Sequence, residues 1–196
     1  MYVTSPYEIP ASFESKYTGF EIVADEKSGY YRVGHIYEDG PADKEWLDIK
    51  EGDYIISIDG TELNIPFNYW KILNHTINER VEFVLTSDPS SDEKRVNRIK
   101  LVDFWALYSL RYYEWVNSNR KKVDELSGGR IGYLHIPSMG GRSLARFKKE
   151  LVEFRLKEAL IIDVRNNGGG NIDQQLIDIL ERRPFGRWVN RGSNPR

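Results

Sequence analysis

The sequence contains no cysteine, which excludes a disulfide framework, a thiol nucleophile and a Cys-ligated metal site. It also lacks a dominant sign of charge. Twenty-eight Lys and Arg face 30 Asp and Glu, a net charge of −2 that leaves no field to hold nucleic acid or an anionic membrane. No apolar run approaches the ~20 residues of a membrane span. The opening "MYVTSPYEIPASFESK" has neither the basic start nor the apolar centre of a signal peptide, so a cytoplasmic location is expected. No two His or carboxylates show metal-ligand spacing, and neither a metal nor a cofactor is expected. What is present is a globular composition, 40% hydrophobic and 30% charged, enough for a packed core.

The chain reads as an irregular lead-in over 1–16, a β-rich region over 17–102, a connecting helix over 103–128 and an α/β region over 129–196. In the β-rich region "GFEIVAD" and "YYRVGHIY" are strand runs separated by the turn "EKSG". "ADKEWL" suggests a short helix. "GDYIISIDGTEL" is a strand turned by Asp59-Gly60. "NYWKILNHTI" places Trp70, Ile72, Leu73 and Ile77 near helical spacing, and "RVEFVLTSD" puts Val81, Phe83 and Leu85 on one face of a strand. Residues 103–126 carry neither Gly nor Pro and predict the connector. The last region alternates strand and helix, "RIGYLHIP", "SLARFKKELVEFR", "EALIIDVR" and "NIDQQLIDILER", which predicts two parallel strands joined by a crossover. Apolar residues on both faces of "ALIID" predict burial on both sides. The class is therefore α+β with an α/β part.

"LIIDVRNNGGGN" links the end of a buried strand to a helix start, the edge where open α/β sheets bind ligands. Glycines there expose backbone N–H groups, and a helix start adds partial positive charge. Three readings stay open: a phosphate cradle, an oxyanion hole or peptide-backbone clamp, and a plain tight turn. "NNGGGN" is not G-x-G-x-x-G and has no following Lys-Ser/Thr, which weighs against a nucleotide.

From "GRIGYLHIPSMGG" through "FKKEL" to "EALIIDVRNNGGGNIDQQLI" the chain resembles the tricorn-type serine peptidases, relatives of the tail-specific (C-terminal processing) peptidases. "LRYYEWVNSNRKKVDELSGGRIGYLHIP" resembles their connector. Residues 17–102, with "KEWLDIKEGDYIISIDG", resemble their PDZ domain. The resemblance covers about 180 residues. It implies a PDZ-like, partly open β-barrel with two helices, followed by a β-α-β-α piece of a crotonase-like peptidase core. It further implies that a glycine N–H, first Gly169 and second Gly168, forms half of an oxyanion hole. The family's nucleophilic serine and orienting glutamate lie beyond the matched stretch and its histidine before it, so this chain is expected to be inactive alone. The resemblance also implies a homo-oligomeric parent acting on peptides.

PDZ domains add an extended peptide beside their second strand and receive its carboxylate in a turn of free N–H groups. The matching residues here are Tyr17, Thr18, Gly19, Phe20 and Ile22, with Tyr69, Trp70 and Leu73 on the opposite wall. Peptides or unfolded protein C-termini are the expected partners, with no nucleic acid and no membrane. The competing assignment is a stand-alone peptide-binding module with a non-catalytic α/β scaffold. A makeshift Ser-His-Asp set from Ser138 or Ser143, His135 and Asp163 is conceivable, against a core role for His135. Arg182, Arg183, Arg187, Arg191 and Arg196 crowd the tail and read as a solvated segment.

Overall fold

Alternation of apolar and polar residues builds the first sheet. The structure, a computed structural model, describes residues 15–76 and 79–181, so the lead-in up to residue 14, Ile77 and the arginine-rich tail lie outside the described residues. By contact the chain divides into units 1–115 and 116–196.

In the first unit, β1 (Phe20–Asp25) and β2 (Tyr30–Ile36) form an antiparallel hairpin. β3 (Tyr54–Ile58) and β4 (Thr61–Glu62) are joined by Asp59 and Gly60, both at positive φ (45° and 74°), the conformation that suits an Asp-Gly hairpin turn. β5 (Arg80–Thr86) and β6 (Arg95–Lys100) complete the sheet, in the order β1-β2-β3-β5-β6 with β4 on β3. Val81, Phe83 and Leu85 are all fully buried on the inner face of β5, against Val33, Ile55, Ile58 and Ile99. Period-2 alternation selects that face directly.

The sheet is open rather than barrel-like. One antiparallel bridge, Tyr17 to Val102, joins the segments flanking its outer strands. Two expected helices differ as well. "ADKEWL" forms separate turns, with Asp43 N–H on the Gly40 carbonyl and Leu47 N–H on that of Lys44. The Asp43 carboxylate instead accepts from Asp39 N–H at 2.8 Å, tying it to the preceding turn. In "NYWKILNHTI" only α1 (Trp70–Leu73) is helical, started by the Asn68 side chain, which accepts from Trp70 N–H at 3.1 Å.

The helix α2 (Phe104–Ser127) holds the boundary between the units. In the second unit β7 (Ile131–His135) pairs in parallel with β8 (Ala159–Asp163), in register from Ile131–Ala159 to His135–Asp163. Between them runs α3 (Gly141–Glu153), and α4 (Asp173–Leu180) follows β8. Phe147, Leu134, Ile136, Ile172 and Leu176 form the core, with Leu144, Leu151 and Phe154 against it, as the helical spacing predicts. Burial on both faces of "ALIID" is not observed. Ile161 is 42% exposed, because β8 is an edge of a two-stranded sheet with one covered face. No described helix is long and apolar enough to cross a membrane.

Candidate functional site

The first unit carries a groove beside its edge strand. A cavity of about 300 Å³ is lined by Tyr17, Thr18, Phe20 and Ile22 from the turn and β1, and by Tyr69, Trp70 and Leu73 from around α1. All the peptide-contact residues expected from the sequence line it except Gly19. Gly19 is buried within the turn at φ +80°, where a Cβ would lie 2.4 Å from Pro41 Cδ, so only glycine fits. Phe20 and Leu73 are also core residues, and Phe20 meets Phe83 edge-on at 5.6 Å. The pocket floor is thus the top of the core. Trp70 contacts Tyr17 edge-on with centroids 5.5 Å apart, fixing the rim.

Two amides of the turn are unengaged among the described residues. Tyr17 N–H is bonded to the Val102 carbonyl at 2.8 Å, and Phe20 N–H meets Thr18 Oγ at 3.3 Å. No hydrogen bond reaches the N–H of Thr18 or Gly19 among the described residues. β1 pairs only with β2, so its other edge is unpaired among the described residues.

Sequence reasoning missed one wall. Phe104, Leu107 and Arg111 of α2 also line the cavity, with Glu21, Val23 and Tyr37. The signal was available: positions 104, 107 and 111 recur at i, i+3 and i+7, one helical face. Arg111 Nε donates to Tyr37 Oη at 2.6 Å and Nη2 to Glu21 Oε1 at 3.1 Å, while Tyr37 Oη donates to the same Glu21 oxygen at 2.7 Å. Burial and the Glu21 carboxylate push the Tyr37 phenol up, so it stays protonated and able to donate.

In the second unit the glycine loop follows β8. Its entry is fixed by Asp163, which is buried and accepts from Tyr133 Oη at 2.6 Å, Arg165 N–H at 2.9 Å and the Arg165 guanidinium. The Arg165 guanidinium holds the Asp163 carboxyl well below the usual carboxylate range despite its burial. Asp163 and Arg165 therefore clamp the strand end. Asn166 then turns at φ +58° and the loop packs on the 136–139 segment.

The amides of the expected oxyanion glycines are engaged. Gly168 N–H donates to the Pro137 carbonyl at 3.0 Å, so the second candidate is occupied by backbone. Gly169 N–H donates to Asn167 Oδ1 at 2.7 Å, and Asn167 Nδ2 is anchored on the Ile136 carbonyl at 2.7 Å. Gly170 N–H donates no hydrogen bond among the described residues, and sequence reasoning did not single it out. Loop amides turn inward or outward according to the tertiary partner, which spacing does not encode. Gly170 is also where the loop is tightest: a Cβ there would sit 2.1 Å from the Met139 carbonyl oxygen.

The makeshift triad is not assembled by these contacts. His135 Nε2 lies 2.7 Å from the Arg165 carbonyl, and Ser138 Oγ and Ser143 Oγ bond one another at 3.1 Å. His135 is a buried residue at the strand end, and Asp163 orients Tyr133 and Arg165. His75 Nδ1 meets the Lys71 carbonyl one helical turn back, and His35 lies between Glu51 and Glu114 at 3.0 and 2.7 Å. No group of three metal-ligating side chains occurs among the described residues.

Residues 130–192 match the family described as Peptidase family S41. Over 149 residues the chain is 36% identical to the Putative tricorn protease homolog 2 of Streptomyces coelicolor, covering 75% of this chain and 12% of that protein. Over 199 residues it is 30% identical to the Tricorn protease homolog of Saccharolobus solfataricus, covering 96% and 18%. A crystal structure of the tricorn protease superposes on 92% of this chain and 18% of its own with a TM-score of 0.70 at 29% identity. The chain thus spans less than a fifth of the length of these relatives.

Proposed function

We propose, on the premise that this chain is a relative of the tricorn proteases and carries Peptidase family S41 sequence, that it holds an extended peptide for hydrolysis by the parent peptidase. The groove of the first unit is the observation that carries this. A strand edge and two turn amides unpartnered among the described residues, with an apolar pocket opening from the core, are the parts needed to add a peptide strand and receive its end. We read residues 17–102 as a PDZ domain and β7-α3-β8-α4 as a piece of a crotonase-like peptidase core.

The glycine loop takes a secondary part in this reading. Gly169 contributes to the oxyanion hole only if the Asn167 side chain rotates away, because a side-chain acceptor exchanges more readily than the backbone bond of Gly168. The engaged amides of Gly168 and Gly169 favour peptide binding over autonomous hydrolysis by this chain.

Calorimetric titration with the free-acid peptide acetyl-Gly-Ala-Ala-Phe-Val-Leu tests the groove. Saturable heat is expected, and Trp70→Ala should weaken binding about tenfold by removing an aromatic wall. Absence of binding heat, or a Trp70→Ala chain that binds as wild type does, would overturn the groove assignment.

A further inference from the structure

We propose that Arg111, on α2 and outside the PDZ-like sheet, is a specificity-determining residue that pairs with the terminal carboxylate of a bound peptide. The inference rests on the groove reading above and names the charge that the groove selects. Arg111 is the only cation among the described residues lining the cavity. A carboxylate seated on the Thr18 and Gly19 amides needs a counter-charge, since two neutral donors replace only part of its hydration.

Tyr37 couples the guanidinium to the turn. Its N–H bonds the Gly19 carbonyl at 3.1 Å, its hydroxyl accepts from Arg111 Nε at 2.6 Å, and the guanidinium carbon lies 5.3 Å from its ring centroid. The turn and the cation are thus held by one residue. Holding Nε on Tyr37 leaves the outer nitrogens to face a ligand, and only Nη2 is engaged, by Glu21.

Glu21 then acts as an internal competitor. Its side chain is 44% exposed and that of Arg111 55%, so their ion pair is held weakly and an incoming carboxylate can replace it. The geometry describes an exchange: Glu21 occupies the guanidinium in the free groove, and the peptide terminus takes its place.

The test uses the full chain and acetyl-Gly-Ala-Ala-Phe-Val-Leu as free acid and as C-terminal amide, by calorimetry. Wild type should prefer the acid by about tenfold or more, the scale of a charge-assisted hydrogen bond. Arg111→Gln should collapse that preference, and Glu21→Gln should tighten the acid several-fold by removing the competitor. Retention of the full preference in Arg111→Gln, or no tightening in Glu21→Gln, would overturn the proposal. Should Arg111→Gln lose its folded circular dichroism signal, Glu21→Gln alone decides. Equal binding of acid and amide by wild type leaves the groove standing and overturns the role of Arg111. Failure of wild type to bind either peptide defeats the groove reading and this inference together.

Discussion

The two units differ in the size of their apolar cores. The first closes on apolar residues, Val33, Ile55, Ile58, Val81, Phe83, Leu85 and Ile99, drawn from four antiparallel strands. The second has a smaller apolar core and buries His135, Ser143, Glu150 and Asp163 beside it, where the first buries Thr18, Asp53, Ser57, Thr86 and Asn97. Glu150 is held at one oxygen by Arg120 at 2.8 Å and Arg146 at 3.0 Å, while its other oxygen has no partner among the described residues. Both units hold a buried carboxylate on arginine, Asp53 on Arg95 in the first, and such pairs are weak evidence for stability. The first unit has the larger apolar core and offers a groove at its edge. The second is built to hold a backbone loop in one shape. Its parallel pair leaves edges uncovered among the described residues, and Ile161, Leu126 and Val164 are exposed.

The comparison breaks most visibly at the cores. Phe83→Ala and Phe147→Ala each empty a fully buried site, and each should cost roughly 3–5 kcal/mol in its own unit. Denaturant unfolding followed by hydrogen exchange should show Phe83→Ala releasing the β5 amides and Phe147→Ala releasing 131–163. In the unsubstituted protein the amides of 131–180 should exchange faster than those of β3 and β5, since two parallel strands make a weak sheet alone. Slower exchange in 131–180 of a dilute monomer would reverse the ranking.

Adjacent glycines in the loop should differ less dramatically. Gly170→Ala forces a Cβ against the Met139 carbonyl at φ +139° and should cost roughly 3 kcal/mol. Gly169→Ala meets no atom within 4 Å, so its cost is the left-handed backbone alone, about 1–2 kcal/mol. Thermal melts of the two variants check the order, and equal losses would mean that packing against Met139 is not what shapes the loop.

The pH effects have opposite signs in the two units. Asp163 is depressed in the folded chain, so its contribution is present above about pH 4, the unfolded value, and is lost as pH falls toward the lower folded value. Asp163→Asn should flatten that acid limb. For His35, burial pulls the pKa down, but the carboxylates of Glu114 and Glu51 outweigh it and the net shift is upward. Its contribution is therefore full below about pH 6.5 and fades as pH rises through the folded value. Because the ring is half exposed, His35→Gln should remove only about a few tenths of a kcal/mol, read as a shallower melting slope between pH 6 and 8.

What was legible in the sequence follows the same division. Alternation in β5, the Asp59-Gly60 turn, the α2 run and the faces of α3 are local patterns, and the folded chain keeps them. The groove residues of β1 and α1 were readable because one turn and one short helix carry them. The α2 wall shows in the sequence only as one helical face, Phe104, Leu107 and Arg111, and nothing local ties that face to a strand so remote in sequence. "ADKEWL" has the composition of a helix, but the Asp43 carboxylate is committed to the Asp39 amide. The exposure of Ile161 depends on what lies beside β8, which its own sequence does not record. The direction of the Gly168 and Gly169 amides depends likewise on Pro137 and the Asn167 side chain.

The central claim is that the first unit receives the peptide and the glycine loop does not bind it in this chain alone. Hydrogen–deuterium exchange with and without saturating acetyl-Gly-Ala-Ala-Phe-Val-Leu measures this directly. The account predicts slower exchange at Thr18, Gly19 and along β1, with no change over 166–171. Protection confined to 166–171, with β1 unaltered, would contradict it.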